Sequence, residues 1–119
     1  MVEVLPESNG NILVLRAKGR LTHHDYKNVI IPRLEAMIRN HGKVRFLLDN
    51  FQGWRAVAFW DDARFGLIHR NDFEKIALIG GPKWILWALK LVMLMVSGEM
   101  RTFSASERSK ALSWIRASA

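Results

Sequence analysis

The chain has 119 residues, half of them apolar and about a quarter charged, which suits one domain with one core and excludes a disordered chain. It contains no cysteine, which excludes a disulfide framework, a thiolate nucleophile and cysteine-bound metal, and fits a reducing compartment. A formal charge of +7 favours anionic partners without choosing among lipid headgroups, nucleic acid, nucleotides and acidic proteins.

In chain order, "MVEVLPESNG" holds acids and no long apolar run, so no secretory signal is expected. "VEVL" and "ILVLRAKG" read as strands joined at Asn9-Gly10, a hairpin signal that predicts antiparallel pairing. "LTHHDYKNVIIPRLEAMIRNHG" predicts a helix. Thr22 is its N-cap and Asp25 stands three residues on, a capping-box spacing. Ile30, Leu34, Met37 and Ile38 share one face. Pro32 should kink or split this helix, and Gly42 should end it.

"KVRFLLDN" predicts a strand with Val44, Phe46 and Leu48 on one side and Arg45, Leu47 and Asp49 on the other. After the loop "FQGW", "RAVAFWDDARFGLIHR" predicts a second helix. "EKIALIGG" predicts a strand closed by glycines. Pro82 then opens a third helix, "KWILWALKLVMLMV", ending near Ser97-Gly98. "EMRTF" is a last strand. "SASERSKALSWIRA" is a closing helix with Ser104 and Glu107 in capping-box spacing. Strands alternating with helices predict a largely parallel sheet with right-handed crossovers.

These elements, with "LTHHDY", "IP.LE", "A.W.DARFGLIHRNDFEKIALIGGPKW" and the closing "A..W", resemble the SpoIIAA-like family. The likeness covers nearly the whole chain and is most specific from Gly53 to Trp84. It implies a single domain over 1–119 with an α/β, STAS-type βα superhelix. The expected sheet is mixed and five-stranded, with an N-terminal antiparallel pair and four helices mainly on one face. It also implies distant likeness to CRAL-TRIO lipid-binding domains and contact with membrane or an apolar ligand through the two middle helices. No catalytic residue comes with it. STAS anti-anti-sigma factors carry a phosphorylatable Ser or Thr in the loop after the third strand. Here that loop reads Asp49, Asn50, Phe51, Gln52, Gly53, and no Ser or Thr occurs from His23 to Val96. A phospho-switch there is not expected.

The third helix carries the strongest functional signal. From Trp84 to Val96 only Lys90 is charged. Thirteen residues fall short of the roughly 20 that span a bilayer. Wound as a helix, Ile85, Ala88, Val92, Met95 and Val96 suit the sheet, while Lys83 and Lys90 lie opposite. Trp87 and Leu94 flank those lysines on one edge, Leu86 and Met93 on the other. A lysine-dotted apolar face with tryptophan suits a bilayer interface, although another helix or a second subunit would also cover it. In the second helix Phe59 and Trp60 repeat the theme. With Trp54 and Trp84 they outline a groove between the middle helices.

The acid–base candidates His23, His24, Asp25, Asp49, Asp61, Asp62 and His69 form no HExxH motif and no nucleophile–base–orienter set. Gly80-Gly81 is a weak anion-loop signal, with a strand-ending turn as its alternative.

The expected function is a non-enzymatic binding module without cofactor or metal. Its contact residues are Trp54, Phe59, Trp60, Lys83, Trp84, Leu86, Trp87, Lys90, Met93 and Leu94. The expected partner is a lipid or membrane surface, in a cytoplasmic protein that can be peripheral to the membrane. The alternative is a STAS-type protein-interaction or homodimerisation module lacking the hydroxyl switch. Nucleic acid is disfavoured.

Overall fold

The computed structural model describes residues 1–52, 64–65, 68–69, 71–81 and 98–117. Strands β1 (Val2–Val4) and β2 (Ile12–Ala17) pair antiparallel, with Val2 opposite Ala17. Asn9 and Ile12 exchange both backbone hydrogen bonds across the turn, and Gly10 supplies the positive φ of 57° that a two-residue hairpin loop needs. Strands β3 (Val44–Asp49), β4 (Phe73–Ile79) and β5 (Glu99–Phe103) continue the sheet in parallel, in the order β1-β2-β3-β4-β5. The five-stranded mixed sheet is the one the sequence predicts, with β3 at its centre.

Parallel neighbours require crossovers, and the first is helical from His23 to His41. Thr22 opens it with a reciprocal box: the Asp25 amide donates to Thr22 Oγ1 at 3.2 Å and the Thr22 amide to Asp25 Oδ2 at 2.9 Å. Helix α1 (His23–Asp25) runs into a π-helical stretch (Tyr26–Ile30) and then α2 (Ile31–His41). Pro32 stands in the first turn of α2, and the irregularity expected of it takes the form of the π-helical stretch just before. The chain answers the missing N–H and the bulk of the ring with wider turns just before it, where the Ile31 amide reaches back to the Tyr26 carbonyl. Gly42, at φ +82°, closes α2 and donates to the Ile38 carbonyl at 2.8 Å.

Alternation of side chains along the strands gives the sheet two apolar faces. On the first, Leu13 and Leu15 of β2, Val44 and Leu48 of β3 and Leu78 of β4 pack against Ile30 and Leu34. On the second, Val14, Leu47, Ala77 and Ile79 pack against Ala111 and Ile115 of α3 (Arg108–Arg116). A 3-10 turn (Ala105–Glu107) leads into α3, and the Glu107 carboxylate accepts the Ser104 amide at 2.9 Å. Between β3 and β4 the register slips: Val44 faces Phe73, but Arg45 faces Lys75, which leaves Glu74 as an extra residue. This bulge allows both Phe73 and Ile76, three apart, to serve the first core.

The described residues hold two of the four expected helical regions, the first crossover and the closing helix. The helices expected over 55–70 and 83–97 lie outside them, apart from Arg64, Phe65 and Ile68, whose backbone is helical. The His69 amide donates to the Phe65 carbonyl at 2.9 Å, and Phe65 is buried in the first core beside α2. Of the two described helical regions, the first crossover covers one face of the sheet and α3 the other.

Candidate functional site

All ten expected contact residues lie outside the described residues: Trp54, Phe59, Trp60, Lys83, Trp84, Leu86, Trp87, Lys90, Met93 and Leu94. What the structure places is their frame. Gly81, before the third expected helix, stands at the carboxyl edge of the sheet, and Gly98, after it, at the amino edge. Both are sterically forced glycines. Gly81 has φ +95°, and a Cβ there would sit 2.9 Å from Phe51 Cδ2. A Cβ on Gly98 would sit 2.3 Å from the Phe73 carbonyl oxygen.

The loop after β3 is built inward. Asn50 adopts a left-handed φ of 58° and donates from Nδ2 to the Ala17 carbonyl at 3.0 Å. Phe51 is buried, and its amide donates to the Ile79 carbonyl at 2.9 Å. The Gly80 amide donates to the Phe103 carbonyl at 2.9 Å. That amide is thus engaged in joining β4 to the end of β5, and the glycine pair acts as a strand-ending turn.

The titratable candidates that are described carry structural duties. Asp25 is buried and takes the Met1 ammonium at 3.0 Å besides the Thr22 cap. Burial pushes its pKa up, but the hydrogen bonds from Thr22 and from the amino terminus outweigh that and leave it lowered. His24 Nδ1 lies 2.9 Å from Asn28 Nδ2. His69 Nδ1 lies 2.8 Å from Asp72 Oδ2, and its ring packs on Phe65, which staples the turn into β4. Asp61 and Asp62 lie outside the described residues. Asp49 accepts from Arg108 Nε at 2.9 Å and has Arg16 at 3.6 Å. Arg108 also donates to Glu7 Oε2 at 2.8 Å, a bond that lowers the Glu7 pKa and raises that of Arg108. This chain of charges ties the start of α3 to β3 and to the β1–β2 connection.

A second polar assembly has no counterpart among the sequence expectations. Lys75, nearly fully buried, donates from Nζ to the carbonyls of Trp114 at 2.9 Å and Ala117 at 2.8 Å. Arg45 donates to the carbonyls of Ile115 and Ala117 at 2.9 and 2.6 Å, and pairs with Glu74. Two cations from the sheet thus receive the carbonyl end of α3, where the helix dipole is negative. In the sequence Arg45 and Lys75 only interrupt the apolar face that Leu47, Ala77 and Ile79 make, with nothing to show what they meet.

Among the described residues no helix is long and apolar enough to cross a membrane, and no group of three or more His, Asp or Glu could hold a metal ion.

An antiparallel strand leading into parallel strands in sequential order, with a helical first crossover on one face and a closing helix on the other, defines a SpoIIAA-like fold. The SpoIIAA-like family model matches residues 12–116, and the chain belongs to that family. Three solved chains match it. One is an uncharacterized protein of the DUF3478 family with a SpoIIAA-like fold from Shewanella loihica PV-4. It is 28% identical with a TM-score of 0.73, and the match covers 96% of this chain and 93% of that one. A search of curated proteins gives no match.

Proposed function

We propose that this protein is a non-enzymatic binding module that attaches reversibly to a membrane or a lipid-like ligand through the crossover joining β4 to β5, aided by the one joining β3 to β4. The observation that carries the reading is the make-up of the β4–β5 crossover. Its thirteen residues from Trp84 to Val96 hold one charge, Lys90. A helix so composed has more apolar surface than one sheet face can take up, with lysines at a heptad spacing opposite the sheet-directed residues. The described acids and histidines support the non-enzymatic part, since Asp25, Asp49, His24 and His69 are engaged in caps, ion pairs and turns.

Two lysines near an anionic surface contribute about 1 kcal/mol each, and buried apolar area adds about 25 cal/mol per Å². That gives weak, reversible attachment. Vesicle sedimentation tests it, comparing wild type with a Lys83→Glu, Trp87→Ser, Lys90→Glu variant. Wild type should pellet with vesicles and the variant at least tenfold less. Equal pelleting, or none by either, overturns the reading.

A further inference from the structure

We propose that the outward face of the first crossover, from the Lys18–Arg20 turn along the His23–His41 helix to Lys43, is a second contact surface that lies against an anionic membrane. The inference rests on the membrane reading above and gives it an orientation.

The excess charge of this protein is unevenly spread. Six of its eighteen Lys and Arg fall between residues 18 and 43, against two of its eleven Asp and Glu. Burial sharpens the contrast. Lys18, Arg20, Lys27, Arg33, Arg39 and Lys43 are all exposed, while one of the two acids, Asp25, is buried and paired with the Met1 ammonium. Glu35 is the only exposed acid in this stretch. Among the described residues none of the six cations makes an ion pair. Elsewhere among the described residues, Glu3, Glu7, Asp49, Glu74 and Glu107 are each matched to an Arg or Lys, and the cations without an ion pair, such as Arg64, Arg101 and Arg116, are scattered over different elements. Unneutralised cations gathered on one element produce a directed field, not a generally soluble surface.

The direction of that field is set by the fold. Ile30 and Leu34 anchor the helix to the first core, so its charged side turns away from the sheet. The three parallel connections, β2 to β3, β3 to β4 and β4 to β5, all step the same way across the sheet. Right-handed crossovers that step the same way share one face. The cations of the first crossover therefore lie on the side of the sheet opposite to α3. A flat anionic surface can meet these cations together. Interfacial cations act over about one Debye length, so they need only approach the headgroups.

The test uses the full chain and sedimentation with vesicles of phosphatidylcholine alone, or with three tenths phosphatidylglycerol. A Lys27→Glu, Arg39→Glu variant is compared with Lys110→Glu, Arg116→Glu, which makes the same change in net charge on exposed residues of α3. Melting curves confirm that both fold, and Lys27→Gln, Arg39→Gln serves as a milder form. The first variant should lose at least about 25-fold in partitioning to anionic vesicles, at about fivefold per cation removed. The α3 variant should change less than threefold. Equal losses, or none in the first variant, overturn the proposal. So does wild type that ignores anionic vesicles but binds duplex DNA through the same cations. The two readings fail separately. If the Lys83, Trp87, Lys90 variant still pellets with anionic vesicles and the Lys27, Arg39 variant does not, the β4–β5 crossover falls and this surface stands.

Discussion

Lys75 shows how a single residue can join two elements. Its Nζ holds two carbonyls at the end of α3, and its ammonium lies 5.1 Å from the centroid of the Trp114 ring. Lys75→Met keeps the bulk and removes the donors. It should destabilise the protein by about 1–3 kcal/mol in urea unfolding, because charge-assisted bonds are lost and carbonyls are left beneath a packed helix. Asp25 makes a prediction in pH. Its folded pKa lies below its ordinary 3.8, so its contribution is fully present above that value and is lost as pH falls through the folded pKa. Asp25→Asn should be less stable than wild type near neutrality. The gap should narrow below about pH 4, read from unfolding curves between pH 3 and 7. A gap that is constant with pH would show that the carboxylate charge is irrelevant there. Neither role could be read from the sequence. A lysine inside "EKIALIGG" has no visible partner until α3 is laid across it, and Asp25 reads as a cap without showing the ammonium.

At the scale of elements, the strands and the closing helix were legible because their patterns are local. Alternation assigns Val44, Phe46 and Leu48 to one core and Leu47 to the other, as found. The capping pair Thr22 and Asp25 was equally plain. Pro32 marked the place of the irregularity, but a proline forbids one hydrogen bond without revealing that the turns before it widen into a π-helical stretch. The bulge at Glu74 was invisible, because periodicity cannot reveal an extra residue until its partner strand is known. The glycines at the two ends of the β4–β5 crossover differ in kind. Gly98→Ala meets a backbone oxygen that cannot move aside, whereas Gly81→Ala meets a ring edge and an unfavourable φ. Thermal melting should rank Gly98→Ala as the more damaging, each exceeding about 1 kcal/mol. Phe51→Leu should restore part of the loss in Gly81→Ala and none in Gly98→Ala.

For the whole molecule, the sheet followed from the order of elements and the family from the resemblance of the motifs between Leu21 and Trp84, and the match over residues 12–116 agrees with the family. The segregation of charge did not, because a net +7 carries no address until the structure shows that Glu3, Glu7, Asp49, Glu74 and Glu107 are paired with Arg or Lys while the cations of the first crossover are not. The sequential strand order has a further consequence for synthesis. Each strand docks beside the one made just before it, so the sheet can grow as the chain leaves the ribosome. The first crossover can cover the first face as soon as β3 has docked. The second face has no such early cover: Val14 and Leu47 wait for Ala111 and Ile115, which are translated after every strand. A nascent chain arrested before α3 therefore carries a finished sheet with one bare apolar side. At that stage Val14, Leu47, Ala77 and Ile79 lack the cover that Ala111 and Ile115 give them, and exposed apolar surface of this kind favours aggregation.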